Sequence, residues 1–403
     1  MMARNGISLA VIGGGMGGLT AALALLQAGV DVHVYEQAGA LREVGAGVQI
    51  SPNASRVLHR LGLAEALAES GVKPIAWHQR RWDDGRTLLR TPLADAMEAA
   101  FGFPHYQMHR SDVLNALARA FPEERLHVGK CFEALVDHSD HVEVRFRDGT
   151  RIAVDAMVGA DGIHSSVRNA VFGADDPSFT GCVAYRGLAL ADRLARLDLE
   201  VTSQVWMGPG KHFVHYFVRR RKLVNFVAVI EQDRWTGESW IDKGDVAEAL
   251  ADFVGWHPQV RHILGAVDET FKWALFDRQP MERWSKGRVT LLGDACHAML
   301  PFMAQGAAQA IEDGATLAAC LAGRSSNEVP QALVRYQSLR LPRAARLQTL
   351  SAANKTRFHL DDGPAQQARD AEMARGRTDW SLDAVAWLYG HDAWSDAPLV
   401  LGP

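Results

Sequence analysis

The sequence has few cysteines and no long apolar run. Its four cysteines are far apart and form no C-x-x-C pair, which argues against a disulfide framework and against a zinc site. No segment approaches the roughly 20 uninterrupted apolar residues of a membrane span. The apolar residues 7–12 run into glycines without a signal-peptide cleavage site. We therefore predict a soluble, cytoplasmic protein with no metal site and no membrane contact.

The sequence also lacks an excess of basic residues. Its formal net charge is −4, whereas proteins that bind nucleic acids need a basic surface. We therefore predict no nucleic-acid partner. A small anionic ligand would have to be attracted by local positive groups and not by the overall field.

A strand, a helix and a second strand follow one another at the beginning of the chain. Residues 7–12 are apolar, residues 17–28 are rich in strong helix formers, and residues 30–35 predict the second strand. A G-x-G-x-x-G segment lies between the first strand and the helix, which is typical of a β-α-β unit that binds a dinucleotide.

Each residue of this segment has a physical task. Gly13 permits the tight turn, Gly15 lets the backbone approach a pyrophosphate, and Gly18 lets helix and strand pack closely. Glu36, with Gln37 beside it, ends the second strand where an acidic side chain can bind a ribose hydroxyl. The segment alone does not distinguish FAD from NAD.

Two further motifs do make that distinction. Asp161-Gly162 ends one predicted strand before a helix, and Gly293-Asp294 follows the apolar strand 288–292. With the glycine segment, they resemble the motifs of the class A flavoprotein monooxygenases, the family of para-hydroxybenzoate and salicylate hydroxylases. The resemblance covers residues 7 to about 345.

The resemblance implies a bound FAD, with NADH or NADPH as a transient electron donor and O₂ as a co-substrate. Since no second nucleotide motif is found, the donor has no domain of its own. The reduced flavin is then expected to form a C4a-hydroperoxide that hydroxylates an aromatic ring. The cofactor-binding residues predicted in this way are Gly13, Gly15, Gly18, Glu36, Gln37, Val48, Arg110, Asp161, Asp294, Gly306 and Ala307.

A strand rich in histidine and aromatic residues is the candidate substrate site. In residues 211–217 (KHFVHYF), the two-residue period places His212 and Tyr216 on one face. The pair resembles the substrate-site strand of hydroxybenzoate and hydroxynicotinate hydroxylases, where a base near the phenol is expected. We predict His212 and Tyr216 as catalytic; two satisfied polar residues on a half-buried strand are the alternative. The predicted substrate-binding residues are Gln49, Pro301 and Phe302.

Several small aromatic acids compete as substrate. Residues 298–313 resemble the salicylate enzymes, whereas residues 208–216 resemble the 3-hydroxybenzoate enzymes. Gln49 departs from the histidine of the 6-hydroxynicotinate enzymes. We favour a decarboxylating salicylate 1-hydroxylase, with 3-hydroxybenzoate 6-hydroxylase and 6-hydroxynicotinate 3-monooxygenase as alternatives. A flavin-dependent oxidase or a non-catalytic flavin-binding protein is the alternative of another class.

The order of predicted elements indicates an α/β fold. It has a Rossmann-like FAD-binding domain, an inserted substrate domain with an antiparallel sheet, and a helical C-terminal region. Residues 151–158 predict one strand, and the Arg-rich residues near 365–379 predict a linker or a loose surface segment. A homodimer stays an open alternative to a monomer. The predicted divisions are 1–75, 100–175 and 285–345 for the FAD-binding domain, 76–99 and 176–284 for the substrate domain, and 346–403 for the C-terminal region.

Overall fold

The computed structural model describes residues 6–41, 46–233, 243–376 and 380–395. The strands of these residues are β1 (Ser8–Ile12), β2 (Asp31–Glu36), β3 (Gly47–Ile50), β4 (Ala76–Arg81), β5 (Thr87–Pro92), β6 (Tyr106–His109), β7 (Leu126–Val128), β8 (Phe132–Asp137), β9 (Val142–Phe146), β10 (Arg151–Val154), β11 (Ala156–Gly159), β12 (Ser178–Leu190), β13 (Ser203–Gly208), β14 (Lys211–Val218), β15 (Leu223–Glu231), β16 (Lys243–Gly244), β17 (Thr270–Asp277), β18 (Ser285–Lys286) and β19 (Val289–Leu291).

The helices of the same residues pack on and between the sheets. They are α1 (Met16–Gln27), α2 (Pro52–Arg60), α3 (Ala64–Ser70), α4 (Asp95–Phe101), α5 (Arg110–Ala120), α6 (Ser166–Phe172), α7 (Val246–Asp252), α8 (Pro258–Leu264), α9 (Asp294–His297), α10 (Gly306–Leu321), α11 (Val329–Phe358), α12 (Pro364–Ala374) and α13 (Ala386–Tyr389). Within the described residues, no helix is both long and apolar enough to cross a bilayer.

A six-stranded sheet in the order β18-β19-β11-β1-β2-β7 forms the nucleotide-binding part of the fold. All its neighbouring strands are parallel except β18 and β19. Every residue of β1 is buried, as expected for a parallel strand that is covered on both faces. The carboxyl ends of β1, β11 and β19 lead directly into the three sequence motifs.

An eight-stranded sheet in the order β16-β17-β12-β15-β14-β13-β4-β5 forms the second part. Its strands are antiparallel except for the β13–β4 pair. The antiparallel pair β3–β6, called the ribbon below, is a separate two-stranded sheet. These sheets and the helices after residue 328 confirm the predicted fold class, whereas the exact domain boundaries stay a prediction.

Two local expectations are wrong. Residues 151–158 form β10 and β11 in two different sheets, because Asp155 breaks the run and accepts the N–H and hydroxyl of Ser8 at 2.7 and 2.8 Å. Most of the predicted linker at 365–379 is helix α12, which Arg369 ties to the carbonyl oxygen of Arg357 at 2.7 Å. Residues 377–379 of that stretch lie outside the described residues.

Candidate active site

The turn between β1 and α1 is so tight that two of its glycines have no room for a side chain. A Cβ atom on Gly13, whose φ is +110°, would overlap the carbonyl oxygen of Ala160, and one on Gly18 would overlap the carbonyl oxygen of Gly13. Gly15 differs, because nothing lies within 4 Å of its Cβ position. It is the N-cap residue of α1, and no side chain accepts a hydrogen bond from the first N–H groups of this helix. There is thus free space beside the N-terminus of α1, whose first N–H groups have no partner within the helix, and this fits the pyrophosphate of FAD.

Glu36 turns its carboxylate back toward this turn. Its Oε2 accepts the N–H of Gly14 at 2.7 Å, and its Oε1 accepts the N–H of Ala38 at 2.8 Å. Each carboxylate oxygen keeps a further lone pair, which can accept a ribose hydroxyl. Gln37 follows and is exposed. The positions of both residues are compatible with cofactor contact, which stays a prediction.

Asp161 lies just before α6 and organises the turn that leads into it. Its Oδ1 accepts the hydroxyl of Ser165 at 2.5 Å, and its Oδ2 accepts the N–H of Val167 at 3.1 Å. Burial raises the pKa of Asp161, and these hydrogen bonds oppose the rise. The carboxylate holds the turn in shape, and its direct contact with the cofactor stays a prediction.

Asp294 and the N-terminus of α10 face the same space. Asp294 is exposed as the first residue of α9, and its Oδ1 lies 4.0 Å from where a Cβ atom of Gly306 would stand. Gly306 and Ala307 begin α10, whose N-terminus has no side-chain cap. The unpaired N–H groups and the dipole of a 16-residue helix favour negative charge at this point. This arrangement suits a reduced, anionic flavin.

A buried charge cluster behind this turn escaped the sequence analysis. Asp313 Oδ2 accepts the N–H of Gly293 at 3.0 Å and lies 2.6 Å from His297 Nε2. Its Oδ1 accepts Arg340 Nε at 2.7 Å. His297 and Asp313 are fully buried. Asp313 therefore holds the Gly293-Asp294 turn from the buried side, although no local sequence pattern indicates that role.

The ribbon separates the nucleotide-binding core from the eight-stranded sheet. The side chain of Val48 is partly buried and packs against the core. Gln49 faces the other way, and its Oε1 lies 3.2 Å from His105 Nε2. Arg110 follows the ribbon as the first residue of α5, where its N–H bonds to Ala46. The predicted roles of Val48, Gln49 and Arg110 stay predictions.

His212 lies buried on β14 against the segment that carries Pro301 and Phe302. Its ring meets that of Phe302 edge to face at 4.8 Å, while Pro301 is exposed. His212 Nδ1 lies 2.6 Å from Nε2 of His359, a residue that the sequence analysis did not consider. Burial, and then the neighbouring His359, lower the pKa of His212 well below its usual range. The ring is therefore neutral near neutral pH, with one of its two nitrogens unprotonated.

Tyr216 lies farther along β14, where the strand meets the ribbon. A Cβ atom on Gly47 would stand 2.6 Å from the Tyr216 hydroxyl oxygen, and Asn225 Oδ1 accepts the N–H of Gly47 at 2.7 Å. Burial raises the pKa of Tyr216, although Arg186 and Arg110 act in the opposite direction. Its hydroxyl is thus protonated and suited to donate a hydrogen bond.

Arg186 on β12 is a second residue that the sequence analysis missed. Its guanidinium lies over the ring of Trp273 at 4.1 Å, and its buried Nε has no hydrogen-bond partner. Among the described residues, no carboxylate forms an ion pair with it. Burial, and then the charge of Arg110, lower the pKa of Arg186 to about 9. A partly buried cation without a counter-ion among the described residues favours an anionic ligand. The sequence feature that could have indicated this role is an arginine within the apolar strand CVAYRGLA.

Comparisons with known proteins agree with this geometry. Residues 7–351 match the family described as FAD binding domain. The chain is 42% identical to the 3-amino-4-hydroxybenzoate 2-monooxygenase of Streptomyces platensis, over 97% of this chain and 98% of that protein. It is 36% identical to the 6-hydroxynicotinate 3-monooxygenase of Pseudomonas fluorescens, over 97% and 96%.

The fold is also similar to that of a solved salicylate hydroxylase in its substrate complex. The TM-score is 0.85 at 27% identity, and the alignment covers 100% of this chain and 99% of that one. The relatives confirm FAD as the cofactor, with NAD(P)H and O₂ as the further reactants of this enzyme class. The chain therefore belongs to the FAD-binding-domain family, within which it is an FAD-dependent aromatic monooxygenase.

Proposed function

We propose that this enzyme hydroxylates a 4-hydroxybenzoate-type acid, with 3-amino-4-hydroxybenzoate as the first candidate. The proposal departs from the salicylate preference of the sequence analysis. One support is the similarity to 3-amino-4-hydroxybenzoate 2-monooxygenase along almost the whole chain. The other, which carries the argument, is the spacing of the polar groups on β14.

That spacing matches a substrate whose two polar groups point in opposite directions. His212 and Tyr216 are four residues apart on one strand, so their Cα atoms lie about 13 Å apart. In a 4-hydroxybenzoate the hydroxyl and carboxylate lie at opposite ends of the ring. One molecule can therefore offer its hydroxyl to His212 and its carboxylate to the Tyr216 end. In salicylate the two groups are on adjacent carbons and do not reach both side chains.

The charge distribution supports the same orientation. Arg186 and Arg110 both influence the pKa of Tyr216, so positive charge surrounds that end of the strand. The His212 end has the aromatic rings of Phe302 and Phe358 at 4.8 and 5.3 Å. A carboxylate is stabilised at the first end and an aromatic ring at the second.

The side chains then have distinct tasks in the reaction. Bound FAD supplies electron transfer from NAD(P)H and the activation of O₂. Neutral His212 accepts the proton of the substrate hydroxyl, which makes the ring more electron-rich. Phe302 keeps water from that end, and Arg186 with Tyr216 holds the carboxylate. Overall, substrate, O₂, NAD(P)H and one proton give the hydroxylated acid, NAD(P)⁺ and water.

A second candidate is salicylate. It is favoured by the fold similarity to salicylate hydroxylase and by the resemblance of residues 298–313. A cytoplasmic location and a homodimer stay predictions.

The test is aerobic oxidation of NADH and of NADPH by the FAD-loaded enzyme with each acid, followed by chromatography. We expect 3-amino-4-hydroxybenzoate to stimulate oxidation and to gain one oxygen atom for each NAD(P)H. Catechol formed from salicylate alone would replace the proposal with the second candidate. Stimulation that yields only peroxide would identify that acid as an effector, and NAD(P)H oxidation unaffected by any aromatic acid would contradict the proposal.

A further inference from the structure

Three side chains connect the buried end of the candidate site with the protein surface. His212 Nδ1 lies 2.6 Å from His359 Nε2, and His359 Nδ1 lies 2.8 Å from Glu231 Oε1. Both histidines are buried, whereas 44% of the Glu231 side chain is exposed. The residues come from β14, from the position after α11 and from the end of β15. The chain of contacts thus runs from the interior to solvent.

The carboxylate at the outer end determines where the protons lie. Glu231 as a carboxylate can only accept, so His359 must donate from Nδ1. A neutral imidazole has a single N–H, and therefore His359 Nε2 accepts the hydrogen bond from His212 Nδ1. The remaining nitrogen of His212, Nε2, then has a free lone pair. Among the described residues, no hydrogen bond occupies that nitrogen.

We propose that His359 and Glu231 conduct to solvent the proton that His212 takes from the substrate hydroxyl. The proposal rests on the proposed function, because it needs a hydroxyl at the His212 end. The hydroxyl O–H bond breaks and an N–H bond forms at His212 Nε2. The Nδ1 proton of His212 moves to His359 Nε2, and the Nδ1 proton of His359 moves to Glu231 and on to water. No electrons are transferred. His359 and Glu231 act through His212 and are therefore positioning residues.

The surroundings favour transfer along this route. The rings of Phe302 and Phe358 pack against His212 and keep it from water. Within the described residues, the other ionisable groups that influence His359 and Glu231 are Lys355 and Cys182, and Lys355 donates to the carbonyl oxygen of Thr180. Burial lowers the pKa of His359, which the Glu231 carboxylate partly offsets. With both rings neutral, a proton passes through and is not stored.

A hydrogen bond of the main chain at His359 allows its side chain to be replaced without loss of the local backbone contact. The N–H of Gly210 donates to the carbonyl oxygen of His359 at 3.0 Å, which ties the end of α11 to the turn before β14. This backbone bond does not depend on the imidazole. His359→Gln and Glu231→Gln therefore remove the proton path while this tie is retained. Glu248→Gln is the matched control, because Glu248 is half-exposed and pairs with Lys272 on the same part of the molecule.

The first experiment needs no substrate. The FAD-loaded enzyme with ¹⁵N-labelled histidine is studied by NMR, and the two rings are assigned from His212→Gln and His359→Gln. We expect both rings to be protonated at Nδ1 and unprotonated at Nε2. In Glu231→Gln this preference should be lost, whereas Glu248→Gln should keep it. A proton on His212 Nε2 in the unmodified enzyme would overturn the proposal.

The second experiment follows the proton directly. The FAD-loaded enzyme is mixed with 3-amino-4-hydroxybenzoate and a pH-indicator dye in weak buffer, and flavin absorbance reports binding. In His359→Gln and Glu231→Gln we expect proton release to slow by at least about tenfold while the binding rate is unchanged. Unchanged proton release in both variants would overturn the relay. If no aromatic acid changes the flavin absorbance, the proposed function is wrong. The protonation of His212 and His359 measured by NMR then tests the relay by itself.

Discussion

Asp313 and His297 are joined at 2.6 Å between Oδ2 and Nε2, at a place where neither side chain has any exposed surface. The same Asp313 oxygen accepts the N–H of Gly293, the residue before Asp294. A buried charge pair therefore supports the turn that carries Asp294, a residue predicted to bind the cofactor. Arg340 completes the cluster from α11 through Asp313 Oδ1.

Asp313→Asn should weaken both folding and FAD retention. The substitution leaves the guanidinium of Arg340 without part of its counter-charge, and breaking a buried pair costs about 3–5 kcal/mol. We expect a lower midpoint of thermal unfolding and a higher Kd for FAD, measured by calorimetry and fluorescence titration. Asp268→Asn is the control, since Asp268 pairs with Arg193 at an exposed site. A variant as stable and as yellow as the unmodified enzyme would contradict the supporting role.

His297 should make stability decline on the alkaline side. Burial, the largest single effect, opposes its protonation, but the charge and hydrogen bond of Asp313 and the charge of Asp294 together raise the pKa of His297 above the usual 6.5. A raised pKa contributes stability that is complete below the pKa of the unfolded chain and is lost as pH rises through that of the folded protein. We expect the unfolding midpoint of the FAD-loaded enzyme to fall as the pH rises above the usual histidine pKa of 6.5. The fall should be shallower in His297→Gln; equal slopes would refute the assignment.

Asp294→Ala should remove FAD binding and leave the fold intact. Asp294 is exposed and faces the N-terminus of α10, so its loss removes no core contact, whereas it removes the predicted contact with FAD. We expect the Kd for FAD to rise by at least about tenfold, which is about 1.4 kcal/mol. The ratio of flavin to protein absorbance after purification measures the loss. Asp95→Ala, at the exposed start of α4, should keep its flavin.

Arg186→Gln should reduce affinity for the carboxylate of the substrate. Loss of one partner of a buried charge pair costs about 2–5 kcal/mol, which is at least about tenfold in Kd. Comparison with 3-amino-4-hydroxybenzamide separates charge from packing, because the amide is neutral. The unmodified enzyme should prefer the acid strongly, and the variant should bind acid and amide about equally. Arg193→Gln, at the surface, should keep the preference; an unchanged preference in Arg186→Gln would place the carboxylate elsewhere.

The parts of the site that could be predicted from the sequence are those encoded in short segments. The turn at Gly13, the aspartates 161 and 294, and the strand with His212 each depend on a few consecutive residues. Backbone geometry dictates such patterns locally, because a tight turn needs glycine and a strand has a two-residue period.

The parts that could not be predicted depend on partners far along the chain. Asp313 meets Arg340 27 positions later, and His212 meets His359 147 positions later. Neither contact leaves a local pattern, since only the packing of α11 brings the side chains together. The division of residues 151–158 into two strands at Asp155 was not predicted for the same reason, because its partner Ser8 lies 147 positions earlier.

Helix α11 has 30 residues and is about 45 Å long, so one element contacts several parts of the site. Arg340 donates to Asp313, which supports the Gly293-Asp294 turn. Asn354 donates to the carbonyl oxygen of Phe302 at 3.4 Å, and His359 comes directly after the last turn of the helix. A chimera between relatives should therefore inherit residues 293–303 and α11 from one parent. A crossover placed after His359 would exchange the C-terminal residues, including Trp380, whose ring contacts that of Trp77. The contacts of Arg340, Asn354 and His359 would then be retained.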